Sequence, residues 1–587
     1  MRRVPAERFI APFYPCHKPA KRTTHKLEIV PGAIRPRRSR WLRMTRTCVL
    51  AAAALALALS SATPAAAGPL APIPLSGLSA NIVDFVQIPA SATLRPLARI
   101  NLLGHAGDGS GRLFVNDMRG KLWVIEAGVV QPQPFLDLAT ALGSAFDTLG
   151  SQVGFSTFAF HPDFAVQGSA GYGKLYTSHS ETPASGTADF STSLPGVTHH
   201  SVVAEWSLDP NDPTRIDPAS KRELLRVAAP TRDHPIGQIG FDPNAATGSS
   251  EHGLLYVAVG DGGPFGGAID PARTAQDLGN PYGSLLRIDP LGTSTAEHPT
   301  NGAYGIPQDN PFAGNTEGSL EEIYAYGFRN PHRFSWDTGG DHELLLSDIG
   351  QNNIEEINLI EAGGNYGWSE REGTFEFDHT NPAILLPLPA DDATLGYTYP
   401  VAQYDHDEGA AVVGGFVYRG SLLPELQGKY IFGDLANGRV FVVDVDALVQ
   451  GSQAQVEELT LLRNGAPTTL LALLGNDFRA DLRFGLDESG EIYLLTKRDG
   501  MVRMLVPEPG SAPLLLVGLA ALGAAGRRRS SASPRPRTRR RPGRRSEARE
   551  TCASFRRLPR VDSAPRPRVR APRRSVADTL PARARTL

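Results

Sequence analysis

A short set of polar residues has the types and spacing that proton and hydride chemistry requires. The set comprises Gln152, the pair Asp233-His234, Asp261, and the run Arg329-Asn330-Pro331-His332. A histidine beside a carboxylate can act as a base near neutral pH, because the carboxylate fixes the tautomer of the imidazole. Taken alone, an Asp-His pair is more often a surface or loop-anchoring feature, and Gly260-Asp261-Gly262-Gly263 is typical of a hairpin turn. The functional interpretation therefore depends on where the fold places these residues.

The elements that position them follow a recurring pattern of two short β-rich runs separated by turns. Six such units occupy residues 111–128, 173–210, 253–290, 342–363, 428–445 and 490–506. Antiparallel hairpins repeated every ~60 to 90 residues predict an all-β fold, a six-bladed β-propeller. The alternating segment 81–89 is predicted to close the ring against the last unit. We expect Asp233-His234, Asp261 and Arg329-Asn330 to meet at one mouth of this propeller.

Length and composition support this fold class and exclude several others. A chain of 587 residues predicts either two domains or one large repeat architecture with disordered ends. Its 60 Gly and 48 Pro favour the second, because they indicate many turns and argue against a helical bundle. The cysteines Cys16, Cys48 and Cys552 all lie in the end segments, so the body has no disulfide, thiolate zinc site or cysteine nucleophile.

The formal net charge of -2 conceals basic ends and an acidic middle. The segment between Thr47 and Gly526 carries a net charge of about -30. Such a body repels nucleic acid and anionic membranes, and it offers carboxylates to hard cations such as calcium. We therefore expect no nucleic-acid partner for the body, and we expect calcium to raise its melting temperature.

Both ends carry targeting patterns. Residues 44–67 combine a basic start, an apolar run and small residues of the A-x-A type, which predicts a signal peptide rather than a buried helix. Residues 506–529 join a Pro-Glu-Pro motif, a short apolar run and an arginine cluster, and resemble the PEP-CTERM sorting signal of Gram-negative bacteria. That resemblance implies an exosortase-type sorting protease, transient membrane association, and export to the periplasm, cell surface or extracellular matrix. We interpret 1–43 as a non-native or disordered extension and 530–587 as a basic disordered tail, leaving 68–505 as the folded body.

Short motifs along the body occur in the order found in one known family. They are QVGFSTFAFHPDF (152–164), DH (233–234), LYVAVGDGG (255–263), YGFRNP (326–331), IEEINLI (354–360), GGNYGW (363–368), GGFVYRG (414–420) and LPELQGKY (423–430). In order and spacing the body resembles the glucose/sorbosone dehydrogenase family. These are soluble quinoprotein sugar dehydrogenases, six-bladed propellers that use pyrroloquinoline quinone (PQQ) and Ca²⁺. The match covers residues 98–503.

The resemblance implies a role for each matching residue. His234 is implied to take the proton of the anomeric hydroxyl while hydride passes to PQQ, and Asp261 is implied to orient it. Arg329 is implied to stabilise negative charge on the reduced quinone. The other positions implied to line the sugar and cofactor pocket are Gln152, Asp233, Asn330 and His332, and those implied to bind Ca²⁺ are the carbonyls of Gly350 and Gln351, with Glu355 nearby.

The sequence departs from the family pattern at several polar and cationic residues that are expected to hold PQQ. A glutamine expected two residues past the Arg-Asn pair is His332, and an expected lysine is replaced by Ala436 or Asn437. Two arginines expected just upstream of residues 486–490 are not in place, although Arg479 and Arg483 are near in sequence and could substitute for them. PQQ carries three carboxylates, and each charge-assisted hydrogen bond contributes about 1.5 to 3 kcal/mol. The sequence thus predicts a retained base and an incomplete clamp for the cofactor.

Three functions are compatible with these observations. The first is a secreted PQQ- and Ca²⁺-dependent dehydrogenase that oxidises an aldose or sorbosone-type hemiacetal to a lactone and passes electrons to an external acceptor. The second is a non-catalytic cell-surface propeller that binds carbohydrate or protein, which the incomplete clamp favours. The third is a calcium-dependent lactonase on the same architecture, which the motifs match less well.

Overall fold

The computed structural model describes residues 69–191, 196–263, 273–292 and 301–508. Their regular structure is almost entirely strand, and the two α-helices in these ranges are the short α1 (Leu138–Leu142) and α2 (Leu470–Leu473). No helix within these ranges is long and apolar enough to span a bilayer. The predicted signal peptide, both predicted terminal extensions and all but the first residues of the predicted sorting signal lie outside the described residues.

The strands form successive antiparallel groups whose members pair side by side in chain order. The fold begins with β1 (Leu75–Gln87), followed by the group β2 (Ile100–His105), β3 (Leu113–Asp117), β4 (Lys121–Glu126), β5 (Val129–Val130) and β6 (Leu136–Asp137). The next groups are β7 (Phe155–Phe160), β8 (Lys174–Glu181), β9 (His199–Asp209), β10 (Asp212–Ile216) and β11 (Arg222–Ala229); and β12 (Ile236–Phe241), β13 (Leu255–Val259), β14 (Ser284–Ile288) and β15 (Ile323–Tyr326).

The second half of the body repeats this organisation. One group is β16 (Pro331–Trp336), β17 (Leu344–Asp348), β18 (Ile354–Leu359) and β22 (Ala402–Asp405), interrupted by a small sheet of β19 (Arg371–Glu372), β20 (Phe375–Phe377) and β21 (Leu385–Leu386). The last groups are β23 (Val412–Val417), β24 (Lys429–Asp434), β25 (Val440–Asp444), β26 (Glu457–Arg463) and β27 (Ala466–Pro467); and β28 (Leu482–Leu486), β29 (Ile492–Thr496) and β30 (Met501–Val506).

The first strands of these groups contact one another in a ring. The order is β2, β7, β12, β16, β23 and β28, and β28 returns to β2, where Leu103 lies opposite Gly485. Apolar clusters fill the space between consecutive groups; one packs Tyr176 and Val203 against Val257. The all-β prediction is confirmed, and the count of six blades stays a prediction.

Each hairpin predicted from the sequence proves to be the middle pair of a group. The first strands were not predicted, because buried polar residues interrupt their apolar pattern. These residues are Asn101, Ser156, Gln238, Arg333 and Arg483, one on each of five first strands. A ring of strands that brings buried polar groups together prepares the axis of the fold for a ligand.

The N-terminal strand closes the ring, as the sequence predicted. β1 pairs antiparallel with β30, with Ile82 opposite Leu505, and pairs parallel with β26 on its other edge. It starts at Leu75, several residues before the predicted segment. Joining the first strand of the fold to the last removes an exposed edge, so the two ends of the body stabilise each other.

Replacement of Ile82 with alanine is expected to lower the free energy of unfolding by about 2–5 kcal/mol. Ile82 is 1% exposed and packs with Leu461, Leu494 and Leu505. Its neighbour Val83 is 41% exposed, so Val83→Ala is a matched control whose expected cost is below about 1 kcal/mol. Urea unfolding measures both. If Ile82→Ala lowered the free energy of unfolding as little as Val83→Ala, β1 would not belong to the cooperative unit.

Candidate functional site

The antiparallel pairing of β12 and β13 brings His234 and Asp261 together. His234 lies two residues before β12, Asp261 lies two residues after β13, and Ile236 is opposite Val259 in the ladder. The two side chains therefore meet at the same end of the hairpin, with Nδ1 of His234 2.7 Å from Oδ1 of Asp261. Both side chains are buried. The structure thus brings together the two residues predicted to form the base and its orienting carboxylate.

Asp261 is held by donors on both carboxylate oxygens. Its Oδ1 accepts a hydrogen bond from the backbone N–H of Gly263 at 2.8 Å, in addition to the contact with His234. Its Oδ2 accepts from Nε1 of Trp368 at 3.0 Å. Its own N–H donates to the carbonyl of Arg329 at 2.8 Å. These bonds fix the plane of the carboxylate, so Asp261 can set the orientation of the imidazole.

The backbone at His234 is shaped for this contact. His234 has φ of 50°, in the left-handed region, and its N–H donates to Oε1 of Gln152 at 3.2 Å. Nε2 of the same amide donates to Oδ1 of Asp233 at 3.1 Å, so Gln152 bridges the predicted pair. A Cβ atom at Gly260 would lie 2.5 Å from the carbonyl oxygen of His234. Only glycine allows the end of β13 to approach this closely.

The surroundings of the pair favour a neutral imidazole at His234 and an ionised carboxylate at Asp261. Burial lowers the pKa of His234, and the charge of Arg329 lowers it further, against the opposing effect of Asp261. Burial alone raises the pKa of Asp261, but the contacts with His234 and the charge of Arg329 outweigh it and leave the pKa lowered. An ionised Asp261 accepts the proton of Nδ1, and no hydrogen bond of the described residues reaches Nε2. Nε2 is therefore available as a base at neutral pH.

Arg329 lies in the loop that precedes β16 and reaches the loop that follows β17. Its Nη1 donates to the carbonyls of Ile349 and Gly350 at 2.8 and 2.7 Å, and its Nε donates to Oε1 of Gln351 at 2.8 Å. Its guanidinium lies 5.7 Å from the ring of Trp368, which also contacts Asp261. Arg329 therefore lies between the predicted His234–Asp261 pair and the loop that was predicted to bind calcium.

The predicted calcium residues come together, and the carbonyl of Gly350 and both carboxylate oxygens of Glu355 already have partners. The N–H of Gly350 donates to Oε2 of Glu355 at 3.3 Å, and Oε1 of Glu355 lies 2.8 Å from Nε2 of His406. The carbonyl of Gly350 accepts from Arg329, as does the side chain of Gln351. Within the described ranges no cluster of three or more His, Cys, Asp or Glu side chains is arranged to hold a metal. Arg329 already engages one predicted ligand, the carbonyl of Gly350, and the predicted calcium site stays a prediction.

A partly open cavity on the axis of the fold adjoins the pair through Pro235, the residue after His234. Gln152, Asn330 and His332 line it, together with the cations Arg333, Arg483 and Lys497. The buried Nδ1 atom of His332 has no hydrogen-bond partner among the described residues. Amide donors, a free imidazole nitrogen and cations form a donor set that fits an anionic quinone such as PQQ.

The cavity corrects part of the prediction about the incomplete clamp. Of the two arginines considered as substitutes, Arg483 lines the cavity, whereas Arg479 pairs with Asp481 at 2.6 Å. Sequence reasoning missed Arg333 and Lys497. The available signal was a basic residue within or directly after an apolar strand, at positions where a solvent-exposed cation is not expected.

Comparison with known proteins is consistent with this geometry. The family model for Glucose / Sorbosone dehydrogenase matches residues 103–466, and that for the PEP-CTERM protein-sorting motif matches residues 505–529. The soluble aldose sugar dehydrogenase from Escherichia coli, in its apo form, superposes with a TM-score of 0.50 at 22% identity, covering 73% of this chain and 99% of that one. This structural likeness concerns the fold.

Curated relatives of the chain include proteins with other names. The HIPL1 protein of Arabidopsis thaliana is 30% identical over 454 residues, covering 70% of this chain and 61% of that protein. The Hedgehog-interacting protein of Mus musculus is 27% identical over 429 residues, covering 71% of this chain and 51% of that protein. The chain therefore spans less than two thirds of the length of these two relatives.

Proposed function

The chain belongs to the glucose/sorbosone dehydrogenase family, and on that premise we propose that it is an exported quinoprotein that oxidises a sugar hemiacetal to a lactone. The substrate class is an aldose or a sorbosone-type sugar, and the scaffold is a six-bladed propeller. The observation that carries the proposal is the buried His234–Asp261 pair, whose Nε2 atom is free and whose neighbours Gln152 and Pro235 line a cationic cavity. A general base beside an anionic cofactor pocket is what oxidation of a C–OH group by hydride transfer requires.

In the proposed mechanism, the residues of the chain manage the proton. Nε2 of His234 takes the proton of the anomeric hydroxyl, and Asp261 stabilises the imidazolium that forms. Trp368 and Gly263 keep the carboxylate in place during this transfer. When bound, PQQ supplies the acceptor for the hydride of the anomeric carbon, and an external acceptor removes the two electrons afterwards. Proton and hydride together account for the two hydrogens lost when a hemiacetal becomes a lactone.

The residues proposed to hold PQQ are those that line the cavity. Asn330 precedes β16 and matches the family pattern, and His332 lies on β16 where the family has glutamine. Arg333, Arg483 and Lys497 supply positive charge for its carboxylates. The calcium prediction contributes no step, because Arg329 already engages the carbonyl of Gly350.

Arg329→Gln is expected to raise the apparent pKa on the acid limb of the kcat/KM profile. The charge of Arg329 lowers the pKa of His234, so the wild-type base stays neutral, and active, to a pH below the ordinary value of 6.5. Without that charge the imidazole binds its proton at higher pH, so activity is lost earlier as the pH falls. A pH series on the variant, with Arg463→Gln as a partly exposed control distant in sequence from the site, measures the shift. An unchanged or lowered apparent pKa of that acid limb would contradict the assignment of His234 as the base.

Reconstitution tests the function directly. Purified protein is titrated with PQQ, with and without Ca²⁺, and then assayed for dye reduction with a panel of aldoses. Saturable PQQ binding and sugar-dependent dye reduction are expected. Absence of both, in protein shown to be folded, would remove the quinoprotein proposal.

A second candidate, a non-catalytic binding propeller, is favoured by one specific observation. Arg329 donates to the carbonyl of Gly350, one of the two carbonyls on which the family resemblance places Ca²⁺. A relative named Hedgehog-interacting protein suggests protein binding by a chain of this family. Protein that binds neither PQQ nor Ca²⁺ but retains a specific cell-surface ligand would support this alternative.

The sorting motif supports export. The chain carries a PEP-CTERM protein-sorting motif at residues 505–529, a signal that implies export in Gram-negative bacteria. We propose that an exosortase-type protease processes the chain after transient membrane association through residues 506–529. The oxidised sugar would then be periplasmic or extracellular, and the electron acceptor would lie outside the cytoplasm.

A further inference from the structure

The side chain of Glu372 caps a turn of the backbone near the candidate site. Glu372 is the last residue of β19 and is 1% exposed. Its Oε1 accepts hydrogen bonds from four consecutive backbone N–H groups, those of residues 351–354, at 2.8, 2.9, 2.9 and 3.2 Å. Its Oε2 accepts from Nδ2 of Asn353 at 3.0 Å. Converging N–H groups form an anion-binding concavity, and here the anion is a side chain of the protein itself.

The turn that Glu372 caps also supplies the acceptors of Arg329. Nε of Arg329 donates to Oε1 of Gln351 at 2.8 Å, and the N–H of Gln351 donates to Glu372. Nη1 of Arg329 donates to the carbonyls of residues 349 and 350, directly before the capped N–H groups. A displacement of the turn would therefore move all three acceptors of the guanidinium.

The segment that carries Glu372 also reaches the other side of Arg329. Trp368 precedes Glu372 in this segment, and its ring lies 5.7 Å from the guanidinium of Arg329. Its Nε1 donates to Oδ2 of Asp261 at 3.0 Å. Residues 368–372 therefore contact the His234–Asp261 pair at one end and the turn that holds Arg329 at the other.

We propose that Glu372 is a positioning residue, which holds Arg329 beside the His234–Asp261 pair through the turn at residues 351–354. No hydrogen bond of the described residues joins Glu372 to either member of the pair, so its effect passes through the turn. The inference rests on the proposed function for its effect on catalysis, whereas the contacts themselves are those of the protein without a ligand.

The protonation of His234 reports where Arg329 lies. The titratable and charged groups that act on His234 are Asp233 in the same loop, Asp261 after β13, Arg329 before β16, and His332 on β16. The charge of Arg329 lowers the pKa of His234, whereas the two carboxylates raise it. Withdrawal of Arg329 would therefore raise this pKa. Direct loss of the negative charge of Glu372 would lower it, because a carboxylate favours the protonated imidazole. The two effects have opposite signs and can be told apart.

The test is Glu372→Gln in the full-length, ligand-free protein, with the pKa of His234 followed by NMR of ¹⁵N-labelled histidine. The chain has 14 His, and the variant His234→Asn identifies the signal of His234. In Glu372→Gln a neutral oxygen replaces the charged acceptor of four N–H groups, and an amide NH₂ group faces Nδ2 of Asn353, so the turn loosens. The pKa of His234 is expected to rise by about half a pH unit or more. An unchanged or lowered pKa would overturn the proposal.

A buried carboxylate with a similar role elsewhere provides the matched control. Oε1 of Glu491 accepts from the N–H groups of Ser421 and Leu422 at 2.8 and 3.0 Å, and Glu491 is 4% exposed. Glu491→Gln is expected to lower the melting temperature as Glu372→Gln does, while leaving the pKa of His234 unchanged. An equal rise of this pKa in both variants would show a general effect of destabilisation and would remove the positioning role.

A double variant tests whether Arg329 transmits the effect. In protein that already carries Arg329→Gln, the further change Glu372→Gln is expected to produce no additional rise in the pKa of His234. An additional rise of the same size would mean that Glu372 acts without Arg329, contrary to the proposal.

Asn353→Ala keeps the proposal testable if Glu372→Gln does not fold. Asn353 is half-buried, and its Nδ2 donates to Oε2 of Glu372 and to the carbonyl of Pro382. Loss of these bonds is expected to raise the pKa of His234 by a smaller amount than Glu372→Gln would. If Glu372→Gln is unfolded and Asn353→Ala leaves this pKa unchanged, Glu372 does not position Arg329.

The outcomes for Glu372 and for the proposed function are separable. The NMR titration needs no quinone, so a rise in the pKa of His234 supports the positioning role even if reconstituted protein reduces no dye. Sugar oxidation by the wild type, with an unchanged pKa of His234 in Glu372→Gln, would retain the quinoprotein and remove the positioning role. Where both hold, the acid limb of the kcat/KM profile of Glu372→Gln is expected to move to higher pH, as it does for Arg329→Gln.

Discussion

Replacement of His234 with asparagine is expected to lower kcat by about 10² to 10⁴, with little change in PQQ affinity or melting temperature. The variant loses Nε2, the nitrogen of the pair that no described hydrogen bond engages. Because the proton of the sugar hydroxyl then has no positioned acceptor, the loss appears in turnover rather than in binding. Single-turnover dye reduction with saturating sugar measures the effect.

The choice of asparagine follows from the backbone. His234 has φ of 50°, a conformation that asparagine tolerates better than alanine. The N–H that donates to Gln152 is retained, so the loop keeps its anchor. An alanine variant would mix the loss of the base with backbone strain, whereas asparagine separates the two.

A second His–Asp pair in the same protein provides the control. Nε2 of His252 lies 2.9 Å from Oδ1 of Asp163, in a pair that does not line the axial cavity. His252→Asn is expected to leave kcat unchanged. If His234→Asn lost stability and kept its specific activity per folded molecule, His234 would be a loop-anchoring histidine.

The parts of the fold that the sequence predicted are those with an uninterrupted apolar pattern. β13 reads LYVAV between glycines and is buried throughout, so its pattern alone indicates a strand. β12 reads IGQIGF, and its buried Gln238 donates to the carbonyl of Phe334 on β16. A buried polar residue of this kind interrupts the apolar pattern, which explains why the predicted units omit the first strands.

The candidate site also combines contacts that local strand pairing predicts with contacts that it does not predict. His234 and Asp261 flank one hairpin, so local pairing alone brings them together. Trp368 lies 107 residues beyond Asp261, and no local pattern reveals that its indole N–H reaches the carboxylate. The contact between Arg329 and Gly350 follows from the β16–β17 hairpin, whereas the assembly of Arg333, Arg483 and Lys497 depends on contacts between different groups of strands. Such contacts follow from tertiary geometry and lie beyond spacing rules.

Asp261→Asn is expected to lower kcat by about 10² to 10⁴, for a different reason from the loss of His234. An amide offers one acceptor oxygen where the carboxylate has two. With its oxygen toward His234, its NH₂ faces the N–H of Trp368; in the opposite orientation, its NH₂ faces Nδ1 of His234 and the N–H of Gly263. The second orientation makes Nδ1 an acceptor and places the imidazole proton on Nε2, which removes the base.

Removal of the competing indole donor should therefore restore part of the activity. In Asp261→Asn/Trp368→Phe the NH₂ group no longer opposes an N–H, so the amide oxygen can again accept from Nδ1 and leave Nε2 free. The double variant is expected to turn over about tenfold faster than Asp261→Asn, whereas Trp368→Phe alone slows the wild type only modestly. Recovery of activity in the double variant would show that Asp261 acts by fixing the tautomer of His234. A double variant no faster than the single one would mean that the negative charge of Asp261, which raises the pKa of His234, is what turnover needs.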